Sequence, residues 1–109
     1  MSTYVFIESR DPFESSDTSF VAETAAALKQ RGEEVTVFLV QNGVLGARAK
    51  ARGSQIPHLA EAGVVVLADD FSLRERGIGS AELAPAVHEA GIDSLVSLIA
   101  QRNTKAIWH

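Results

Sequence analysis

Two short runs, residues 35–40 and 64–67, constrain this chain most, because both are almost continuously apolar and rich in β-branched side chains. A strand wetted on one face alternates apolar with polar residues, whereas a strand covered on both faces reads as an unbroken hydrophobic run. Each run therefore calls for packed layers above and below it. Residues 4–7 and 106–108 are further runs of the same kind. Stretches of helical period separate the four. Ser16 or Asp17 can cap a helix carrying Phe20, Val21, Thr24, Ala27 and Leu28 on one face. Lys29 and Arg31 lie in its last turn, and Gly32 follows as its stop. Ile92, Leu95, Val96 and Ile99 repeat at helical spacing, with Asp93 or Ser94 early in that helix. Asn103-Thr104 breaks the pattern, and residues 105–109 read as a last strand.

The middle of the chain predicts smaller elements. Residues 44–51 read as a helix after Asn42-Gly43, interrupted at Gly53-Ser54. Residues 55–62 read as a short helix with Pro57 in its first turn, where proline is tolerated. Within 82–89, Ala86-Val87-His88 suggests a short strand, against which Pro85 weighs. Strands alternating with helices of these lengths imply an α/β fold, a parallel sheet with helices on both faces. The 109 residues, 46% hydrophobic and 22% charged, suit a single domain over 1–109 with a real core.

Composition narrows the function classes. A net charge of -4 argues against nucleic acid or an anionic membrane, which need a basic face, so neither is an expected partner. The longest apolar run, 63–68, is too short to span a bilayer. The N-terminal stretch reaches Glu8 without a basic region before it and reads as a strand, not a signal peptide. A cytoplasmic location is the default expectation. The chain has no cysteine, hence no disulfide, thiolate or persulfide of its own.

In open α/β sheets, ligands bind beyond the carboxyl ends of the strands. The loops at that end hold Glu8-Ser9-Arg10-Asp11, Gln41-Asn42-Gly43 and Asp69-Asp70-Phe71-Ser72, with Arg76 within reach at the end of a short helix. The candidate ligand-binding set is Ser9, Arg10, Asn42, Gly43, Asp69, Asp70, Ser72 and Arg76. The competing reading is that Asp69, Asp70 and Ser72 cap the helix that follows. Adjacent carboxylates suit magnesium, but a phosphoryl-accepting receiver domain needs paired acids after the first strand, where only Glu8 stands. The glycines around 42–46 and 77–79 match neither a dinucleotide fingerprint nor a Walker loop. His58, His88 and His109 are scattered without zinc-ligand spacing. Ser9, Ser72 and His88 lack a nucleophile elbow. Arg48, Lys50 and Arg52 form a small basic strip that reads as a solvated helix end. Phe13, Phe71 and Trp108 either pack inward or supply apolar surface at loops or a subunit contact. No catalytic residue, metal site or cofactor is expected.

Three phrases in order carry a family resemblance: residues 26–39, a helix end through Gly32 into a strand; Asn42-Gly43-Val44; and Leu73-Arg74-Glu75-Arg76-Gly77-Ile78. With the terminal strand after an amphipathic helix, the chain from about Tyr4 to Trp108 resembles the DsrE/DsrF/DsrH-like family of small sulfur-relay proteins. The resemblance implies a three-layer α/β/α sandwich with a mostly parallel sheet of about five strands. It also implies assembly into homotrimers or homohexamers, or hetero-oligomers with other DsrE-like subunits. Family members that carry sulfane sulfur do so on a cysteine at a strand-to-helix junction. Counting back from Arg76-Gly77, that position falls at Asp69, or at Asp70 if the loop is shifted by one. A carboxylate cannot form a persulfide. The resemblance thus implies a supporting, non-catalytic member, with a small-ligand, metal or acid–base role for Asp69 and Asp70 as the alternative.

Overall fold

The computed structural model describes residues 2–109. Five strands, β1 (Thr3–Glu8), β2 (Glu34–Leu39), β3 (Val65–Asp69), β4 (Val87–Ala90) and β5 (Thr104–Trp108), form one sheet in the order β4-β3-β2-β1-β5. Every pairing is parallel. Four α-helices alternate with them: α1 (Asp17–Gln30), α2 (Ile56–Ala62), α3 (Asp70–Glu75) and α4 (Ile92–Ile99). The short strand expected around Val87 is β4, and Pro57 stands in the first turn of α2 as expected.

The two apolar runs behave differently. All of β2 after Glu34 is buried, as its continuous apolar sequence requires. In β3 the inner residues Val66 and Ala68 are buried, yet Val65 is 50% exposed. The reason lies in the layers. One face of the sheet packs against α1, α2, α3 and the 3₁₀ segment Gln41–Ala47, in a core of seventeen buried residues that includes Phe6, Val37, Val66 and Leu73. The other face has α4 alone, over a cluster of five: Val5, Ile7, Phe38, Val40 and Leu95. An eight-residue helix cannot roof five strands, so the margins of that face stay open.

Two local expectations are corrected. α1 forms where predicted and stops at Arg31 before Gly32, whose φ of 92° is the left-handed conformation glycine takes at low cost. Its buried face, however, is Thr18, Val21, Ala22, Ala25 and Ala26. Phe20 is 70% exposed and Ala27 is also exposed, so the inward face is rotated from the predicted one, although Val21 is buried and Leu28 packs against the core as expected. Small alanines on the buried face suit close packing of a helix on a sheet. The predicted helix over 44–51 is instead a 3₁₀ segment ending at Ala47, after which the chain is extended at Arg48. There the backbone pairs outward, with Ala49 N–H donating to Glu82 O and Ala84 N–H to Ala47 O, both at 2.8 Å.

Candidate functional site

The strand order reverses between β1 and β5: β2, β3 and β4 extend to one side of β1, and β5 returns to the other. Two polar clusters stand at the carboxyl rim, one between β2 and β3 and one at this reversal.

The first cluster gathers Asn42, Asp69, Ser72 and Arg76. Asp69 ends β3 and is 7% exposed, and its Oδ2 accepts from the Ser72 amide at 3.0 Å and from Ser72 Oγ at 2.7 Å. This is an N-cap, which satisfies one of the orphan amides at the start of α3. Ser72 Oγ in turn accepts from the Gln41 amide at 2.9 Å. Gln41 has φ 51°, so a residue with a side chain occupies the left-handed region at the rim. Arg76, just past α3, donates from Nε and Nη2 to Asn42 Oδ1 at 3.2 and 3.0 Å, and from Nη1 to Ser72 O at 3.2 Å. The network thus staples the end of β2 to α3. Its carboxylate is already spent on the cap, so the capping role expected as the alternative is realised at Asp69. Asp70 points elsewhere, 3.9 Å from Arg74 in an exposed i,i+4 pair.

Ser9 and Arg10 do not join this group. The Ser9 amide and hydroxyl donate to His109 O at 2.8 and 2.9 Å, and the Arg10 amide donates to Glu8 Oε2 at 3.2 Å. Gly43 lies between the clusters in a structural capacity. A Cβ there would sit 2.1 Å from the Glu8 carbonyl oxygen, so only glycine lets the 3₁₀ segment pass the end of β1.

The second cluster centres on a pair that the sequence reading did not single out. Glu8 is 6% exposed, and its Oε2 and Oε1 lie 2.8 and 3.0 Å from His109 Nδ1. With the carboxylate accepting at Nδ1, the ring is held in one orientation, and among the described residues nothing bonds Nε2. Glu8 was visible as the acid ending an apolar run. His109 was not visible as its partner, because only the β1–β5 pairing brings together residues 101 positions apart. His58 and His88 are exposed. No group of three or more histidine, cysteine or acidic side chains suited to a metal occurs among the described residues.

The model of the DsrE/DsrF-like family matches residues 2–105, nearly the whole chain. The chain belongs to the DsrE/DsrF-like family. Its fold is similar to that of the ychN protein of E. coli, with 17% identity, TM-score 0.85 and complete coverage of both chains. It is also similar to MTH1491 of Methanobacterium thermoautotrophicum, a protein of unknown function, with 19% identity, TM-score 0.82 and complete coverage of both. A third likeness, to BT1422 of Bacteroides thetaiotaomicron, has 16% identity and TM-score 0.75 over 99% of this chain and 95% of that one. A comparison with functionally curated proteins gave no significant match. At these identities the solved structures speak for the fold, which is the DsrE-like five-stranded α/β architecture. This DsrE/DsrF-like chain has no cysteine anywhere, and the end of its β3 carries a carboxylate engaged in capping.

Proposed function

We propose that this protein is a non-catalytic DsrE-like oligomer, an accessory or partner-docking component related to intracellular sulfur transfer that carries no persulfide itself. One observation carries the reading: in a DsrE-like chain without cysteine, the strand-to-helix junction holds Asp69, whose buried carboxylate serves Ser72. Sulfane-sulfur carriage needs a thiolate, and the group at this junction is neither nucleophilic sulfur nor free. Assembly as the remaining role is supported by apolar surface around α4 and β5. Ile92, Val96 and Ile99 form an exposed stripe at i, i+4 and i+7, and Trp108 on the edge strand is 63% exposed.

The test is affinity capture of tagged protein from its native host, followed by native mass spectrometry. A defined trimer or hexamer, or a cysteine-bearing DsrE-like partner in fixed ratio, is the expected result. A strict monomer at micromolar concentration would overturn the proposal.

A second reading, an acid–base or small-ligand site, draws on the Glu8–His109 pair at the strand-order reversal, the usual ligand crevice of open α/β sheets. Nitrogen-15 NMR of the His109 ring tests it. An Nε2 resonance that moves on adding a small-molecule library would support this reading. A ring unresponsive to every compound would remove it.

A further inference from the structure

Arg48, Lys50 and Arg52 do not behave as the solvated end of a helix. Were residues 44–51 helical, successive side chains would be about 100° apart, and Lys50 would lie on the side of the helix away from Arg48 and Arg52. The 3₁₀ segment instead ends at Ala47. The antiparallel bridge of Arg48 with Leu83 and the left-handed turn at Gly53, φ 69°, then lead the chain around a groove. That groove has a volume of about 370 Å³ and is lined by all three cations together with Phe13, Leu45 and Asp11. It lies apart from both rim clusters: it shares no residue with the Asn42–Arg76 network or with the Glu8–His109 pair.

The electrostatics and shape are specific. Among the described residues, none of the three cations lies within ion-pair distance of a carboxylate, in a chain whose net charge is -4. Arg48 is oriented by its Nε donating to Leu45 O at 2.9 Å, which leaves both Nη groups for a ligand. The one acid in the lining, Asp11, accepts from the Phe13 amide at 3.0 Å, and this turn sets Phe13, 77% exposed, at the groove. Three unpaired cations against one carboxylate favour an anion of at least two charges, since lone phosphate-like charges are held weakly at exposed sites. The neighbouring ring and Leu45 favour a flat apolar group on the same molecule. The volume falls near the lower end of small-molecule sites, roughly 300–1,000 Å³.

We propose that this groove binds a small aromatic polyanion of the nucleoside di- or triphosphate class, with Arg48, Lys50 and Arg52 on the phosphates and Phe13 against the ring. The contact is by cationic side chains, without a glycine-rich loop, so the affinity falls as salt rises.

Isothermal titration of the full chain with ADP, ATP, pyrophosphate and adenosine tests this, with amide chemical-shift mapping to locate the site. ADP or ATP should bind more tightly than pyrophosphate or adenosine and shift the amides of Phe13, Arg48, Lys50 and Arg52. Lys50→Ala and Arg52→Ala should each weaken ATP binding about threefold to tenfold, and Phe13→Ala about twofold to tenfold. These side chains are exposed, so an unchanged melting temperature checks that the variants remain folded. Four results would overturn the proposal. They are no binding by any nucleotide, shifts confined to the Asp69–Arg76 rim, equal binding of pyrophosphate and ATP, and variants that bind as the parent does.

Discussion

The two faces of the sheet are built to different standards. The α1–α2 face is closed: three α-helices and a 3₁₀ segment cover it, and buried side chains run from Phe6 to Val87 without a break. The α4 face is half finished. Leu95 and Leu98 pack inward, while Ile92 and Val96 stand 56% and 55% exposed and Val65 on β3 is 50% exposed. An exposed stripe of this kind is what the proposed assembly would cover. The contrast teaches that the two faces do different amounts of packing: the α1–α2 face is filled from within the chain, whereas the α4 face leaves apolar side chains at the surface.

Mutations should separate the two. The largest effect is expected from Gly43→Ala, because the added Cβ would meet backbone at 2.1 Å, where no side chain can give way. It should cost about 3 kcal/mol or more in urea unfolding, at or beyond the top of the overpacking range. Leu73→Ala on the closed face and Phe38→Ala beneath α4 should cost roughly 2–5 and 3–5 kcal/mol, since both are fully buried. If Phe38→Ala proved nearly neutral in the isolated chain, the α4 cluster would not be a core at all until a partner covers it.

Smaller effects sharpen the contrast. His109→Ala leaves the buried Glu8 carboxylate without its ring partner and should cost about 1–3 kcal/mol, with β5 amides exchanging faster than those of β2. Asp69→Ala removes the α3 cap and should cost about 0.5–2 kcal/mol by thermal melting, whereas Asp69→Asn keeps an acceptor and should cost less. Val96→Glu should change monomer stability by no more than about 0.5 kcal/mol, yet dissociate any oligomer seen by analytical ultracentrifugation. An oligomer indifferent to Val96→Glu would move the contact surface away from α4.

The inner strands β1, β2 and β3 were legible because buried parallel strands read as near-continuous apolar runs, whereas β4 and β5 at the edges are largely exposed. Helices α1 and α2 were equally legible, through Gly32 as a stop and Pro57 in a first turn, whereas the helix expected over 44–51 did not form. The inward face of α1 was not legible. Helical spacing grouped Phe20 with Val21 and Leu28, but Phe20 is exposed, and Ala22 and Ala25 join Val21 on the buried face instead. At the rim, Asn42, Asp69, Ser72 and Arg76 were expected together and are together, since β2 and β3 are neighbours both in sequence and in the sheet. Ser9 and Arg10 were grouped with them and stand apart, in the loop after β1, where Ser9 bonds His109 O and the Arg10 amide bonds Glu8.

By itself, then, the sequence determined the alternation of strands and helices, the family, and the absence of a persulfide-bearing thiol, because these follow from local pattern and residue identity. Tertiary structure alone decided three things: that β5 pairs with β1 and joins Glu8 to His109, that the 44–51 stretch leaves its helix and turns three cations into one groove, and which face of the sheet stays open. Each depends on contacts between residues distant in the chain. Local propensity carries no information about such contacts, because their free energy exists only once the chain has closed on itself.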